Sequence, residues 1–269
     1  MNPTKPPDRE VALRQVRRVI DRLVRDGTAV SRLDGSVHSL FPVAVSAAEG
    51  EALREWVTRE AATHTIEIGL GYAIAALFVC EGLLANGDAT ARHVVVDPFQ
   101  AGRFANCGLQ FLDEAGLADL VEYYPEESQI ALPRFHGEGR SFDLAFVDGN
   151  HRFDGVFLDL VYLGRLVRGG GIVFLDDYQL PAVARAASFF LTNLGWRSKK
   201  CQLPTISTSG PCSGPRTYRT RDRSTTTSTS NTFPRPRATF LTLGCNHGFV
   251  TSRVLKWRRR KERDMRSTR

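Results

Sequence analysis

The sequence predicts an α/β fold, a doubly wound and mostly parallel sheet with helices on both faces, followed by a disordered basic tail. Three observations predict it. From residue 64 to residue 195 short apolar runs alternate with amphipathic stretches, the signature of successive βαβ units. The apolar runs end in carboxylates or glycines (Glu67 to Gly71, Asp97, Asp148, Asp176-Asp177), which places these residues at the carboxyl rim where such sheets bind ligands. After Trp196 the periodicity stops and Ser, Thr, Pro and Arg dominate, a composition that buries too little apolar surface to offset its chain entropy.

In chain order, "DREVALRQVRRVIDRLVRDG" spaces Val11, Val16, Val19, Ile20, Leu23 and Val24 as one face of a helix, stopped by Gly27. "SAAEGEALREWVTREAA" starts a second helix at Ser46, with Glu49 completing a capping box. The strand "HTIEIGLG" (64–71) leads through a glycine turn into the helix "YAIAALFVCEGLLANG". The strand "HVVVD" (93–97), a helix near "GLQFLDEAG" and the strand "LVEYY" (120–124) follow. Then come the strand "FDLAFVD" (142–148), the helix "FDGVFLDLVYLGRLV", a tight turn at Gly169-Gly170-Gly171, the strand "GGIVFLDD" (170–177) and the helix "PAVARAASFFLTNLG". These divide the chain into a lead-in (1–44), a ligand-binding domain (45–200) and the tail (201–269).

The 269 residues with 42% hydrophobic content suffice for a sizeable core. No run of 18 apolar residues occurs and "MNPTKPPDRE" lacks the pattern of a signal peptide, so a cytoplasmic protein without a membrane span is expected. The five cysteines form no C-x-x-C pair, which argues against a zinc site and a disulfide framework. The net charge of +7 divides unevenly: residues 1–200 hold 21 Lys and Arg against 26 Asp and Glu, the tail 15 against 3. A nucleic-acid partner is therefore expected only through the tail.

The rim has its own charge logic. Gly69-Leu70-Gly71 begins a dinucleotide fingerprint, but Ile74 stands at the third glycine position. A pyrophosphate would also face carboxylates with no lysine or arginine in the glycine turn. A cationic or metal-bridged ligand fits better.

On these residues the chain resembles a known family. "TIEIGLGYAIAALF" resembles the E-x-G-x-G first motif of class I S-adenosylmethionine-dependent methyltransferases, and "VVVDPF" their second acidic motif. "FDLAFVDGNHRFDGVFLDLVYLGRLVRGGGIVFLDDY" resembles the D-G-x-H and D-D-Y segment of the small-molecule O-methyltransferase branch. The resemblance covers about residues 45 to 197 and implies a Rossmann-like methyltransferase fold, S-adenosylmethionine as cofactor and a small-molecule hydroxyl as acceptor. It implies cofactor contacts at Glu67, Gly69, Gly71, Tyr72, Asp97, Ser128 and Asp148. Asp97 would take the ribose hydroxyls, and Ser128 would lie near the adenine. Asp148, Asp176 and Asp177 would hold a divalent metal, Mg²⁺ by their all-oxygen chemistry. His151 would act as general base beside Asp148, and a homodimer is the assembly it suggests.

Plainer readings accompany these. Asp148 or Asn150 would simply cap the next helix, and Asp176-Asp177 the one after. The basic tail, densest at "KWRRRKERDMR", reads either as a native extension toward nucleic acid or acidic lipid or as the product of a shifted reading frame. In it "ATFLTLG" and "GFVTSRVLKW" are the segments able to replace the edge strands that relatives carry. The functional alternatives are a non-catalytic binding protein of the same fold and a nucleic-acid methyltransferase working through the tail.

Overall fold

The computed structural model describes residues 9–198, 200–201, 239–242 and 252–253. Helix α1 (Arg9–Asp26) is followed by a hairpin that the sequence pattern did not reveal, β1 (Thr28–Val30) and β2 (Val37–Ser39), and by α2 (Ala47–Arg59). The βαβ region then runs β3 (His64–Ile68), α3 (Ile74–Asn86), β4 (Arg92–Val96), α4 (Gln100–Arg103), α5 (Cys107–Glu114), β5 (Val121–Tyr124), α6 (Ser128–Gly137), β6 (Phe142–Val147), α7 (Phe153–Leu166), β7 (Val167–Leu175) and α8 (Pro181–Asn193). Short strands β8 (Arg197–Ser198), β9 (Lys200–Cys201), β10 (Thr239–Thr242) and β11 (Ser252–Arg253) complete the elements.

The sheet runs β5-β4-β3-β6-β7-β10-β11-β9, with β8 also against β10. The five strands from β5 to β7 pair in parallel throughout. Period-two alternation divides their side chains between two cores. Val95, Leu144, Phe146, Ile172 and Phe174 pack under α1, α2, α3 and α5. Ile66, Ile68, Val94, Val96, Val147, Val173 and Leu175 pack under α6, α7 and α8. Helix α3 is apolar nearly all round because it is buried nearly all round, from Ile74 to Leu83. Among the described residues no helix is long and apolar enough to cross a membrane.

The expected Ser46 capping box forms: Glu49 N donates to Ser46 Oγ at 3.3 Å, and Ser46 N donates to Glu49 Oε2 at 2.8 Å. The glycine run before the last parallel strand is a correction. Instead of forming a turn, Gly169–Gly171 lie inside β7, where the β6–β7 register shifts between Phe142 and Leu144. A Cβ on Gly171 would sit 2.6 Å from the Asp143 carbonyl, so β7 approaches β6 too closely there for any side chain. At the far edge, β10 lies within "ATFLTLG" and pairs in parallel with Ile172 to Leu175, while β11 within "GFVTSRVLKW" pairs antiparallel with it. The rest of the stretch expected to be disordered, with its basic "KWRRRKERDMR" end, falls outside the described residues.

Opposite the rim, Asp143 Oδ2 ties the start of β3 to β6, accepting from Thr63 N at 2.8 Å and His64 N at 3.0 Å, and Arg168 pairs with its other oxygen. Burial raises this carboxyl, but the backbone donors and Arg168 outweigh it and hold it below 3.8. The stabilisation is therefore present above the unfolded pKa and is lost as pH falls through the lower folded one. Asp143→Asn should cost about 1–3 kcal/mol at neutral pH and markedly less near pH 3, read from urea midpoints at the two pH values.

Candidate active site

Strands β3, β4 and β5 are laid down in one direction from β3, and β6 and β7 in the other, so strand order reverses between β3 and β6. At that point the β3–α3 loop meets the β6–α7 turn. Gly69 has φ +91°, and a Cβ on it would lie 2.3 Å from the Asp148 backbone oxygen. Glycine is required there by the protein's own backbone. At Gly71 a Cβ would meet nothing within 4 Å, and it is the φ of +51° that favours glycine. Ala73 continues the left-handed geometry at φ +61°, and α3 starts after it.

The loop is pinned from below by Asp97, which is 2% exposed. Asp97 Oδ2 accepts from Leu70 N at 3.0 Å, Gly71 N at 3.1 Å and Gln100 Nε2 at 2.9 Å, and its Oδ1 accepts from Phe99 N at 2.7 Å. Gln100 Nε2 also donates to Gly71 O at 2.8 Å. Asp97 thus first organises the loop; Oδ1, with one bond, keeps acceptor capacity for a further hydroxyl.

Glu67 lies on the sheet face covered by α3. The register sets Thr65 opposite His93 and Glu67 opposite Val95, so one face of β3 and β4 carries a polar chain. His93 Nε2 lies 2.9 Å from Glu67 Oε2, and His93 Nδ1 lies 2.9 Å from Thr65 Oγ1. Burial, then Asp148 and Asp97, push Glu67 well above the usual carboxylate range, and burial drops His93 to about 3.

Across the rim, at the β6–α7 turn, His151 Nε2 stands 3.1 Å from Asp177 Oδ2 and 3.4 Å from Asp148 Oδ1. These three residues offer donor atoms within 4.8 Å of one another. The expected trio was Asp148, Asp176 and Asp177. Asp176 instead turns Oδ1 to the backbone N of Asp177 at 2.8 Å, and Asp177 itself sits in the left-handed region at φ +52°. Burial raises Asp148, with His151 pulling the other way. Burial, followed by Asp148 and Glu49, raises Asp176 well above its ordinary value. His151 is raised, chiefly by its hydrogen bond to Asp148. Asp148 and Asp177 stand beside the imidazole, Glu49 adds its field at Asp148 and Asp176, and Arg103 opposes them at His151; the excess of carboxylates suits a hard divalent cation.

Tyr72 and Ser128 are the remaining expected contacts. Tyr72 is buried, edge-on to Phe104 at 5.2 Å and 6.0 Å from the His38 ring of the hairpin. Ser128 is the first residue of α6. Beside it Asp159 of α7 is 1% exposed with no hydrogen-bond partner on either oxygen; burial lifts it to about 6, and the nearby Ser128 hydroxyl offsets this only in part. Asn150 Oδ1 accepts from Arg152 N at 2.9 Å, closing a turn ahead of α7 instead of capping it; the N-cap is Arg152, which makes no side-chain capping bond. Sequence reasoning missed His93, Gln100 and Asp159. For His93 a signal existed, since alternation in "RHVVV" places it on the same face as Val95.

Residues 66–178 match the family model described as a methyltransferase domain. Over this segment the chain is similar to that family. No curated protein sequence matches it. Its fold is similar to that of an O-methyltransferase from Bacillus cereus determined with SAH, at 18% identity and a TM-score of 0.51, covering 74% of this chain and 86% of that one. It is likewise similar to the O-methyltransferase TomG of Streptomyces achromogenes, determined with SAM, at 22% identity and a TM-score of 0.50, covering 71% and 82%. The SAH-bound methyltransferase PaMTH1 of Podospora anserina gives 16% identity and a TM-score of 0.51 over 75% and 94%. The methyltransferase fold therefore extends beyond the matched segment to about three quarters of the chain.

Within the matched segment Asp159 makes the sharpest stability test. Its folded pKa of about 6 exceeds the ordinary 3.8, so the native state is fully stabilised only below the unfolded pKa and loses stability as pH rises to about 6. Asp159→Asn should raise the melting temperature at pH 7 by an amount equivalent to on the order of 2 kcal/mol, with little change at pH 4.

Proposed function

We propose that the chain is an S-adenosylmethionine-dependent methyltransferase that methylates a hydroxyl oxygen of a small molecule. One observation carries the reading: a glycine loop pinned by Asp97 at the switch point lies directly against the turn that presents Asp148 and His151. A ligand site and an acid-base group share one rim. Bound S-adenosylmethionine supplies an electrophilic methyl group on a cationic sulfur. The rim carboxylates favour that charge, and the fold's SAM- and SAH-bound neighbours support the same ligand.

Gly69 and Gly71 bring the backbone to the cofactor, Asp97 Oδ1 accepts a ribose hydroxyl, and Tyr72 and Ser128 flank it. Glu67 lies beneath the loop at the cofactor's charged end. With Nε2–H donated to the carboxylates, the other ring nitrogen of His151 takes the proton of the acceptor hydroxyl. Asp177 and Asp148 orient the imidazole and stabilise the imidazolium that results, a role worth about 10²–10⁴-fold.

The excess of carboxylates favours a second reading, in which Asp148 and Asp177, with His151 beside them, would hold Mg²⁺, which would supply Lewis-acid activation of the acceptor hydroxyl. Metal chelation separates the two. On the first reading turnover persists in a chelator and falls about 10²-fold or more in His151→Gln; turnover lost in chelator and restored by Mg²⁺ establishes the second.

The cofactor assignment is tested calorimetrically. Wild type should bind S-adenosylmethionine, and Asp97→Ala, which releases the loop and removes the ribose acceptor, should bind it at least about tenfold more weakly, on the order of 1.4 kcal/mol. Absence of binding by wild type, or undiminished binding by the variant, would reject it. Binding without turnover across hydroxylated acceptors would mark a non-catalytic relative.

A further inference from the structure

We propose that cofactor binding is coupled to the release of one proton from Glu67, with the His93–Thr65 chain built to accept either protonation state. This rests on S-adenosylmethionine being the ligand. Glu67, His93 and Thr65 are 1%, 0% and 0% exposed, so a charge there is shielded from bulk solvent. The ionisable groups that face Glu67 are His93 from β4, Cys80 from α3, and the carboxylates Asp97 and Asp148 at the ends of β4 and β6. Among the described residues no lysine or arginine pairs with Glu67. A carboxylate flanked by two others in a dry site is unfavourable until a cation arrives.

The hydrogen-bond chain explains how that arrival is accommodated. With Glu67 neutral, its O–H donates to His93 Nε2, and His93 Nδ1–H donates to Thr65 Oγ1. With Glu67 ionised, His93 Nε2–H donates to the carboxylate and the Thr65 hydroxyl donates to Nδ1. Both arrangements satisfy the two contacts at 2.9 Å, and the imidazole stays neutral in each. The net change is one proton from the Glu67 carboxyl to the buffer. The depressed His93 pKa agrees, since it keeps the mobile proton off the imidazolium form. The new carboxylate then faces the positive end of the cofactor, so proton loss and binding reinforce one another.

The full chain should be titrated with S-adenosylmethionine near neutral pH in buffers of different ionisation enthalpy. The buffer dependence of the heat should correspond to about one proton released per cofactor bound, and affinity should rise with pH by up to about tenfold per unit. Glu67→Gln should bind with the proton release abolished. Where that variant does not fold, infrared difference spectra of wild type serve instead: the C=O band of a protonated carboxyl should vanish on adding cofactor. Binding with no net proton exchange, an unchanged proton count in Glu67→Gln, or no loss of the carboxyl band overturns the proposal. Absence of binding by wild type overturns the cofactor reading itself.

Discussion

The candidate site depends on the carboxylate of Asp97 and the two loop N–H groups it holds. Three left-handed residues, Gly69, Gly71 and Ala73, turn the chain off β3 and into α3. Such a loop exposes N–H groups that need an acceptor. Asp97 supplies it from the end of the neighbouring strand, and Gln100 braces the arrangement from the start of α4. The parallel register of β3 and β4 makes this possible by bringing their carboxyl ends level. With the loop fixed, Gly69 can pass within backbone contact of Asp148, and the two halves of the sheet meet as one rim.

The rim's charge follows from the same geometry. Every parallel strand ends beside a carboxylate or beneath one, and few cations offset them. Desolvation makes this costly, so Glu67, Asp148 and Asp176 all hold their protons more tightly than free side chains. The protein retains an unfavourable arrangement that a positively charged ligand would relieve. Structural ion pairs are placed elsewhere: Arg17 bridges Glu51 and Glu81 between α1, α2 and α3, where stability is served and no ligand is near.

The parts of this legible in the sequence were those with local causes. The alternation of apolar runs and helices placed the parallel strands, the Ser46–Glu49 spacing identified a capping box that forms as expected, and the rim residues followed from strand ends. Long-range causes were hidden. Asp176 and Asp177 look equivalent in "LDDY", yet Asp177 lies beside His151 while Asp176 accepts from the Asp177 backbone N–H. Gly169–Gly171 read as a turn because glycine usually marks one; here the cause is the β6 carbonyl 2.6 Å from a would-be Cβ, which sequence spacing does not encode. The short β1–β2 hairpin offered too few apolar positions for a period to emerge.

Glu49 shows how the lead-in helices and the site are joined. Its carboxylate caps α2 through Ser46, yet it is also among the charges that raise Asp148 and Asp176. A carboxylate in a capping box is held in one rotamer by the helix it starts. Helix α2 packs along α3, and α3 carries the pinned loop at its start. The position of an acidic group at the acceptor side is thus set by the same packing that positions the cofactor loop. A shift of α2 would move the acidic field and the loop together, which makes this helix pair, more than any single rim residue, the frame that keeps the two ends of the site in register.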